Sequence, residues 1–275
     1  MATPRNQSVI KAFTMLKSFH HSDEWVTSSE LSRRAKLPEA SGYRLVQTLE
    51  DLGAITRGAR GRYRPGMLLV SLSQKVIIGD LLCEASHEII DALSRRLDMT
   101  LHIGMFEGGM VTYVTKASTP TSFVLHTRPG AQLEAYCSGL GKVLLAALPV
   151  DRLEDYLMEG ELVALTPYTV TEPRRLRAQL ENVRDQGYAI DDREIRAEMR
   201  CIAVPIVDGS GCSIAALSAS GSIERMDSDT LEMLRGSLTS AAAAIGHRIS
   251  PFEAPSHRPA VPQREVRALA SSSAH

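Results

Sequence analysis

The chain has 275 residues, 44% of them hydrophobic and 23% charged, a length and composition that suit two domains with real cores. No run of about 18 apolar residues occurs, and the first residues, "MATPRNQSVIKAF", hold no apolar signal core, so neither a membrane helix nor secretion is expected and a cytoplasmic protein is. The net charge of -1 is split: through Gly66 the chain carries eleven basic and six acidic residues, a head of +5 on a body of -6, which predicts that the head meets a polyanion.

In chain order, Val9, Phe13 and Leu16 recur at helical spacing and predict a first amphipathic helix from about Ser8 to His20. "VTSSELSRRA" then offers Thr27 or Ser28 as the cap of a short second helix. After "KLP", a third helix runs to the stop at Gly53, with Leu45, Val46, Leu49 and Leu52 as its inward stripe. Two short helices joined by a tight turn make a helix-turn-helix, whose second helix enters the major groove with its N-terminal part. Glu39, Ala40, Ser41, Gly42, Tyr43 and Arg44 are the early outward residues of that helix, and Ser41, Gly42, Tyr43 and Arg44 are expected to meet DNA, along with Thr27 and Ser28. The next stretch, "AITRGARGRYRPG", turns on glycines and predicts a two-stranded wing. Its arginines, Arg57, Arg60, Arg62 and Arg64, repel one another unless phosphates neutralise them.

From Met67 to Ile78 the chain is apolar on more than one side, which predicts a linker helix that needs a partner, a dimer-forming element over 67–80. Leu82, Ala85, Ile89, Leu93 and Leu97 mark one stripe of a further helix. "TLHIGMF", a Gly-Gly turn and "MVTYVTKA" predict a hairpin, "SFVLHT" a third strand, and "CSGLGKVLLAALP" a helix whose glycine-rich start leaves backbone N–H groups free to face an anion. No P-loop is present there, because Lys142 is not followed by Ser or Thr. "EPRRLRAQLENVRDQG" is a surface helix, "YAID" a strand and "DSDTLEMLRGSLTSAAAAIGHRI" a closing helix, giving an α+β domain on an antiparallel sheet. The Pro- and Ser-rich residues 251–275 are expected to be disordered.

"MRCIAVPIVDGSG" and "CSIAALSAS" form a second hairpin. With Val207 opposite Cys212, Cys201 faces Ser218 and Met199 faces Ser220. Alternation then puts Cys201, Ser218 and Ser220 on one face, and Ile202, Val204 and Ile206 on the other with Ala215 and Leu217. The first face, beside the glycine-rich helix start, is a candidate small-ligand pocket.

"SVIKAFTMLKSF", "SSELSRRAKLPEASGYRLVQTLEDLGAI", "CSGLGKVLLAALP", "GYAIDDREI" and "RCIAVPIVDGSGCSIAALSASG", in this order from Ser8 to Ile249, resemble the IclR-type transcriptional regulators. One departure is Gly42, where similar proteins usually carry a hydroxyl residue. The resemblance implies a winged helix-turn-helix at 1–66, a linker and dimerisation helix at 67–80 and a GAF-like effector-binding domain at 81–250. It also implies an effector site at Gly139, Leu140, Gly141, Asp191, Cys201, Ser218 and Ser220. Backbone N–H groups and serines suit a carboxylate, while Asp191 suits a hydroxyl.

A cysteine nucleophile needs a base, and only His102 and His126 lie where either could approach Cys201. Neither sits in a catalytic motif, and the four scattered cysteines show no paired metal spacing, so no enzyme, metal or cofactor is expected. The expected protein is a one-component regulator bound to operator DNA as a homodimer, or a dimer of dimers, and controlled by a small organic acid. The alternatives are an architectural DNA-binding protein without a ligand and a GAF-like enzyme with an accessory DNA arm.

Overall fold

The computed structural model describes residues 4–20 and 24–250; the stretch expected to be disordered, 251–275, lies outside them. The chain divides into two compact units, Met1–Ile77 and Ile78–His275.

In the first unit, α1 (Gln7–Leu16) starts at Asn6, whose side chain accepts from the N–H groups of Ser8 and Val9. Thr27 caps α2 (Ser28–Arg34) by accepting from the Glu30 N–H at 3.2 Å. Helix α3 (Glu39–Asp51) follows Pro38 and ends before Gly53, whose φ of +75° is the left-handed turn that glycine adopts without cost. Met15, Leu31, Val46, Leu49, Ile55 and Tyr63 are buried together. Leu52, expected inward, is 62% exposed, because the helix ends there and its last turn runs past the core. The wing is β2 (Ile55–Arg57) and β3 (Arg62–Pro65), and a third, two-residue strand, β1 (Val26–Thr27), pairs with β3 to give the order β1-β3-β2. Helix α4 (Met67–Ser73) closes the unit.

The expected single helix over 67–80 is broken. Helix α4 stops at Ser73, residues 76 and 77 are not helical, and the next helix begins at Ile78. Val76, Ile77 and Ile78 are three β-branched residues in a row, and each loses rotamer freedom in a helix.

The second unit carries a six-stranded antiparallel sheet. Its strands are β4 (Thr100–Glu107), β5 (Met110–Ala117), β6 (Gln132–Glu134), β7 (Ala189–Asp192), β8 (Met199–Val207) and β9 (Ser213–Ser222), in the order β6-β5-β4-β9-β8-β7. On one face, α5 (Ile78–Leu97) and α9 (Ser228–Ile249) cover Leu101, Ile103, Ile202, Val204, Ile206 and Leu217. On the other, α6 (Gly139–Ala146), α7 (Val150–Met158) and α8 (Pro173–Gln186) cover Val111, Ala203 and Ala216. This is the α+β layering expected from the pattern of elements, and it is consistent with the GAF-like fold that the resemblance implies.

Two expectations about this sheet need correction. Residues 122–127 are not a strand, because side chains occupy backbone groups that a ladder would need: Thr100 donates to the Phe123 carbonyl at 2.6 Å and the Lys116 ammonium donates to that of Leu125. In the β8–β9 hairpin, Cys201 lies opposite Ser220, Met199 opposite Ser222, and Ser218 opposite Ala203. The loop holds one residue more than expected, since the Asp208 N–H closes on the Cys212 carbonyl at 2.9 Å and Val207 pairs with Ser213. A bulge between Ile206 and Val207 adds a second step. Two steps restore parity, so the division of side chains between the faces survives the slip.

Candidate functional site

In the first unit, Tyr43 and Arg44 project from the early turns of α3, with Tyr43 55% exposed. Thr27 is exposed, and Ser28 and Ser41 are half-buried. Gly42 points the other way. A Cβ there would lie 1.9 Å from Ser32 Oγ and 2.7 Å from Ser32 Cβ, so α3 packs on α2 through a position that admits no side chain. The Ser32 hydroxyl donates to the Ser28 carbonyl at 2.8 Å, which fixes the wall that Gly42 meets. Gly42 is therefore a packing residue, and the expected outward position is corrected to an inward one.

Arg57, Arg60, Arg62 and Arg64 are all exposed, and no ion pair engages any of them among the described residues. Arg60 (φ +58°) and Gly61 (φ +66°) form the left-handed tip of the wing. Arg64 stacks over the ring of Trp25 at 4.9 Å, a cation–π contact that stiffens the base of the hairpin. By contrast Arg33 and Arg34 are engaged by Glu30, and Arg34 also by Glu24. The wing and α3 thus carry five cations with no ion pair among the described residues, Arg44, Arg57, Arg60, Arg62 and Arg64, in an arrangement that suits a phosphate backbone.

In the second unit, a cavity of about 260 Å³ opens on the α6 side of the sheet. Gly139, Leu140, Asp191, Cys201, Ser218 and Ser220 all line it. Gly141 does not: a Cβ there would sit 2.1 Å from the Ala135 carbonyl oxygen, so this glycine lets the first turn of α6 lie on the backbone behind it. Ser138 caps α6 by accepting from the Gly141 N–H at 3.0 Å, which leaves the N–H groups of Gly139 and Leu140 without an acceptor among the described residues. They present the positive end of the helix to the cavity. A Cβ on Gly139 would lie 3.3 Å from Cys201 Sγ, so the bare glycine also lets the helix start close on the sheet.

Asp191 is 0% exposed. One carboxyl oxygen, Oδ1, accepts from the Glu194 N–H at 2.7 Å, and Oδ2 has no partner among the described residues. Burial pushes its pKa up to about 7, and the Glu194 carboxylate adds to this. Burial likewise pushes Cys201 up to about 12, with Asp191 adding to it, so the thiol stays protonated and is a poor nucleophile. Burial, helped by the Lys116 charge, lowers His102 to about 3; the neutral ring bonds Thr127 Oγ1 at 2.6 Å and lies 4.7 Å from the Tyr113 ring. Lys142, which the sequence puts just inside the helix start, is only 2% exposed; it is turned away into the core and paired with Glu194. Among the described residues no group of three or more His, Cys, Asp or Glu side chains comes together to hold a metal ion.

A basic winged helix-turn-helix joined to a sheet with a helix-capped cavity has close counterparts among known proteins. Residues 8–59 match the IclR helix-turn-helix domain and residues 74–247 match the family described as "Bacterial transcriptional regulator IclR C-terminal". The chain belongs to the IclR family. Like its relatives, it is a DNA-binding transcriptional regulator with a C-terminal effector domain. The Escherichia coli regulator XynR is 30% identical over 247 residues, 90% of this chain and 98% of that protein. The E. coli regulator KdgR is 30% identical over 250 residues, 89% and 95% of the two chains. Among solved IclR structures, that of Thermotoga maritima IclR is 28% identical and superposes with a TM-score of 0.59, covering 88% of this chain and 98% of that one. An IclR homologue from Microbacterium hydrocarbonoxydans, solved with 4-hydroxybenzoate, is 27% identical with a TM-score of 0.58, covering 88% and 99%. These relatives are named regulators, not enzymes, and among the described residues no helix is long and apolar enough to cross a membrane.

Sequence reasoning brought His102 and His126 within reach of Cys201 without assigning them to the cavity of this IclR-family protein, which both line, and it missed Tyr113, Thr127 and Arg196, which line it too. His102 could have been found by alternation, because it stands opposite Ser218 across β4 and β9. That required knowing that strands so far apart in the chain are neighbours. Thr127 and Arg196 lie outside the strands and carry no periodic signal.

Proposed function

We propose that the effector is a small organic acid that also carries a hydrogen-bond donor, and that the protein binds its operator as a homodimer. The observation that carries the first part is the pairing, within one cavity, of two free helix-start N–H groups with a buried carboxyl oxygen that lacks a partner. The N–H groups and the hydroxyls of Ser218 and Ser220 suit the carboxylate of the effector. Asp191 Oδ2 suits its hydroxyl, because a buried acceptor left unpaired costs about 1–3 kcal/mol that a donor recovers. The volume is at the small end for ligand pockets, which favours a compact acid. The 4-hydroxybenzoate bound to the Microbacterium homologue combines the same two groups.

The homodimer is supported by apolar surface with nothing over it: Met67 is 70% exposed and Ile77 65%, with Val70, Leu72 and Val76 exposed beside them. In the DNA complex Arg44 and Tyr43 meet base edges, Thr27, Ser28 and Ser41 meet the backbone, and the wing arginines meet phosphate or the minor groove.

Titration calorimetry with matched acids, one hydroxylated and one not, tests the effector. The hydroxylated acid is expected to bind at least tenfold more tightly, and Asp191→Asn to reduce that preference. Equal affinity of the two acids for wild type overturns the donor requirement. Sedimentation at micromolar concentration tests the dimer.

A further inference from the structure

A carboxylate stands where this fold meets DNA. Glu39 is the first residue of α3, is exposed, and accepts from the Ser29 hydroxyl through Oε1 at 2.7 Å. Its placement differs from that of the other acids among the described residues of the unit. Glu24 and Glu30 are consumed by Arg34 and Arg33, and Glu50 and Asp51 sit at the far end of α3. Glu39 pairs with no cation among the described residues, and α3 offers no other carboxylate in its N-terminal half. The inward packing of Gly42 on Ser32 fixes the rotation of α3, so that Glu39 and Tyr43, four residues apart, share one outward face. Ala40 beside them adds no bulk.

An exposed carboxylate on that face is repelled by phosphates, and the repulsion needs an offset. The major groove supplies one kind of group that can offset it. Among the base edges, cytosine presents the N4 amino donor that Glu and Asp accept from, whereas guanine presents acceptors there and repels a carboxylate. The Ser29 bond holds one oxygen and leaves Oε2 to receive it.

We propose that Glu39 is a specificity-determining residue that reads a cytosine in each half-site of the operator, with Ser29 as its positioning residue. The assignment rests on the DNA-binding reading of the helix-turn-helix. A stabilising role at the start of the helix is the bland competitor, since a carboxylate there favours the helix dipole whatever the DNA sequence.

Selection of binding sites from a randomised duplex library by the full-length protein distinguishes the two, followed by titration of the selected duplex and of single-base variants. Wild type is expected to select cytosine at one position per half-site and to bind duplexes changed there about tenfold more weakly, the usual cost of one mismatched base pair. Glu39→Gln, which keeps length and an acceptor for Ser29, is expected to lose that preference and to gain adenine, which an amide reads through N6 and N7. Ser29→Ala keeps Glu39 and is expected to weaken discrimination at that position alone. Identical selected sites for wild type and Glu39→Gln overturn the assignment, as does uniformly tighter binding of every duplex by the variant, which signifies only the removal of a negative charge. A wild type that selects no sequence at all brings down the operator-binding reading itself.

Discussion

The two units of this protein present positive charge by opposite means. The head displays four exposed wing arginines with no ion-pair partner among the described residues, ready to displace the counterions of a polyanion. The body offers its cavity no such cluster of cations. It turns Lys142 inward onto Glu194 and presents backbone N–H groups and hydroxyls instead. A long polymer of fixed charge is held by many exchangeable contacts, each worth little and screened by salt. The small acid proposed for the cavity would be held by a few fixed dipoles in a place screened little. Salt and mutation should therefore separate the two sites.

The largest effect is expected at Lys142. Removing one partner of a buried ion pair leaves the other charged and unsolvated, so Lys142→Met should cost about 3–5 kcal/mol of body stability, while Lys142→Met with Glu194→Leu should recover most of it. Denaturant unfolding of the single and double variants measures this; equal stability of both would mean that the pair is solvated. Next comes the contact between α2 and α3. Gly42→Ala pushes a methyl into Ser32 and should cost about 1–3 kcal/mol, with loss of DNA binding but unchanged effector affinity. Ser32→Gly should restore the Gly42→Ala head, and thermal melts of the two variants follow it.

Replacing Arg62 and Arg64 by Ala should flatten the salt slope of DNA binding by about 0.9 for each phosphate no longer neutralised, roughly thirtyfold in affinity for two phosphates at physiological salt. The same variant should leave effector affinity where it was, and calorimetry beside a salt titration checks both halves. A further effect is a pH profile. Folding raises the pKa of Asp191 from the ordinary 3.8 to about 7, so its contribution to stability is fully present below the lower value and is lost as pH rises through the upper. Asp191→Asn should abolish that decline. An effector that donates to Oδ2 favours the ionised carboxyl, so its affinity should rise with pH through about 7; affinity that falls instead would show an effector accepting from the protonated acid.

Much of this architecture was legible in the sequence because it is local. Helix spacing placed α1 to α3, and the alternation of β8 and β9 sorted Cys201, Ser218 and Ser220 from Ile202 and Val204 even though the register was two steps off. Parity is robust to such a slip, and register is not. What failed was non-local. Gly42 looks outward until Ser32 is placed against it, and residues 122–127 look like a strand until Thr100 and Lys116 take up their carbonyls. Glu39 was visible as an exposed acid, but only the Ser29 bond shows it held in place.

The chain contains a single tryptophan, Trp25, and it lies under Arg64 and so close to Gly58 that a Cβ there would come within 2.2 Å of its ring. Its fluorescence therefore reports on the wing. Emission excited at the indole band needs no label. A spectral change that saturates with effector, at the affinity measured by calorimetry, would be an optical record of a signal arriving at the DNA-binding end, and stopped-flow mixing would time it.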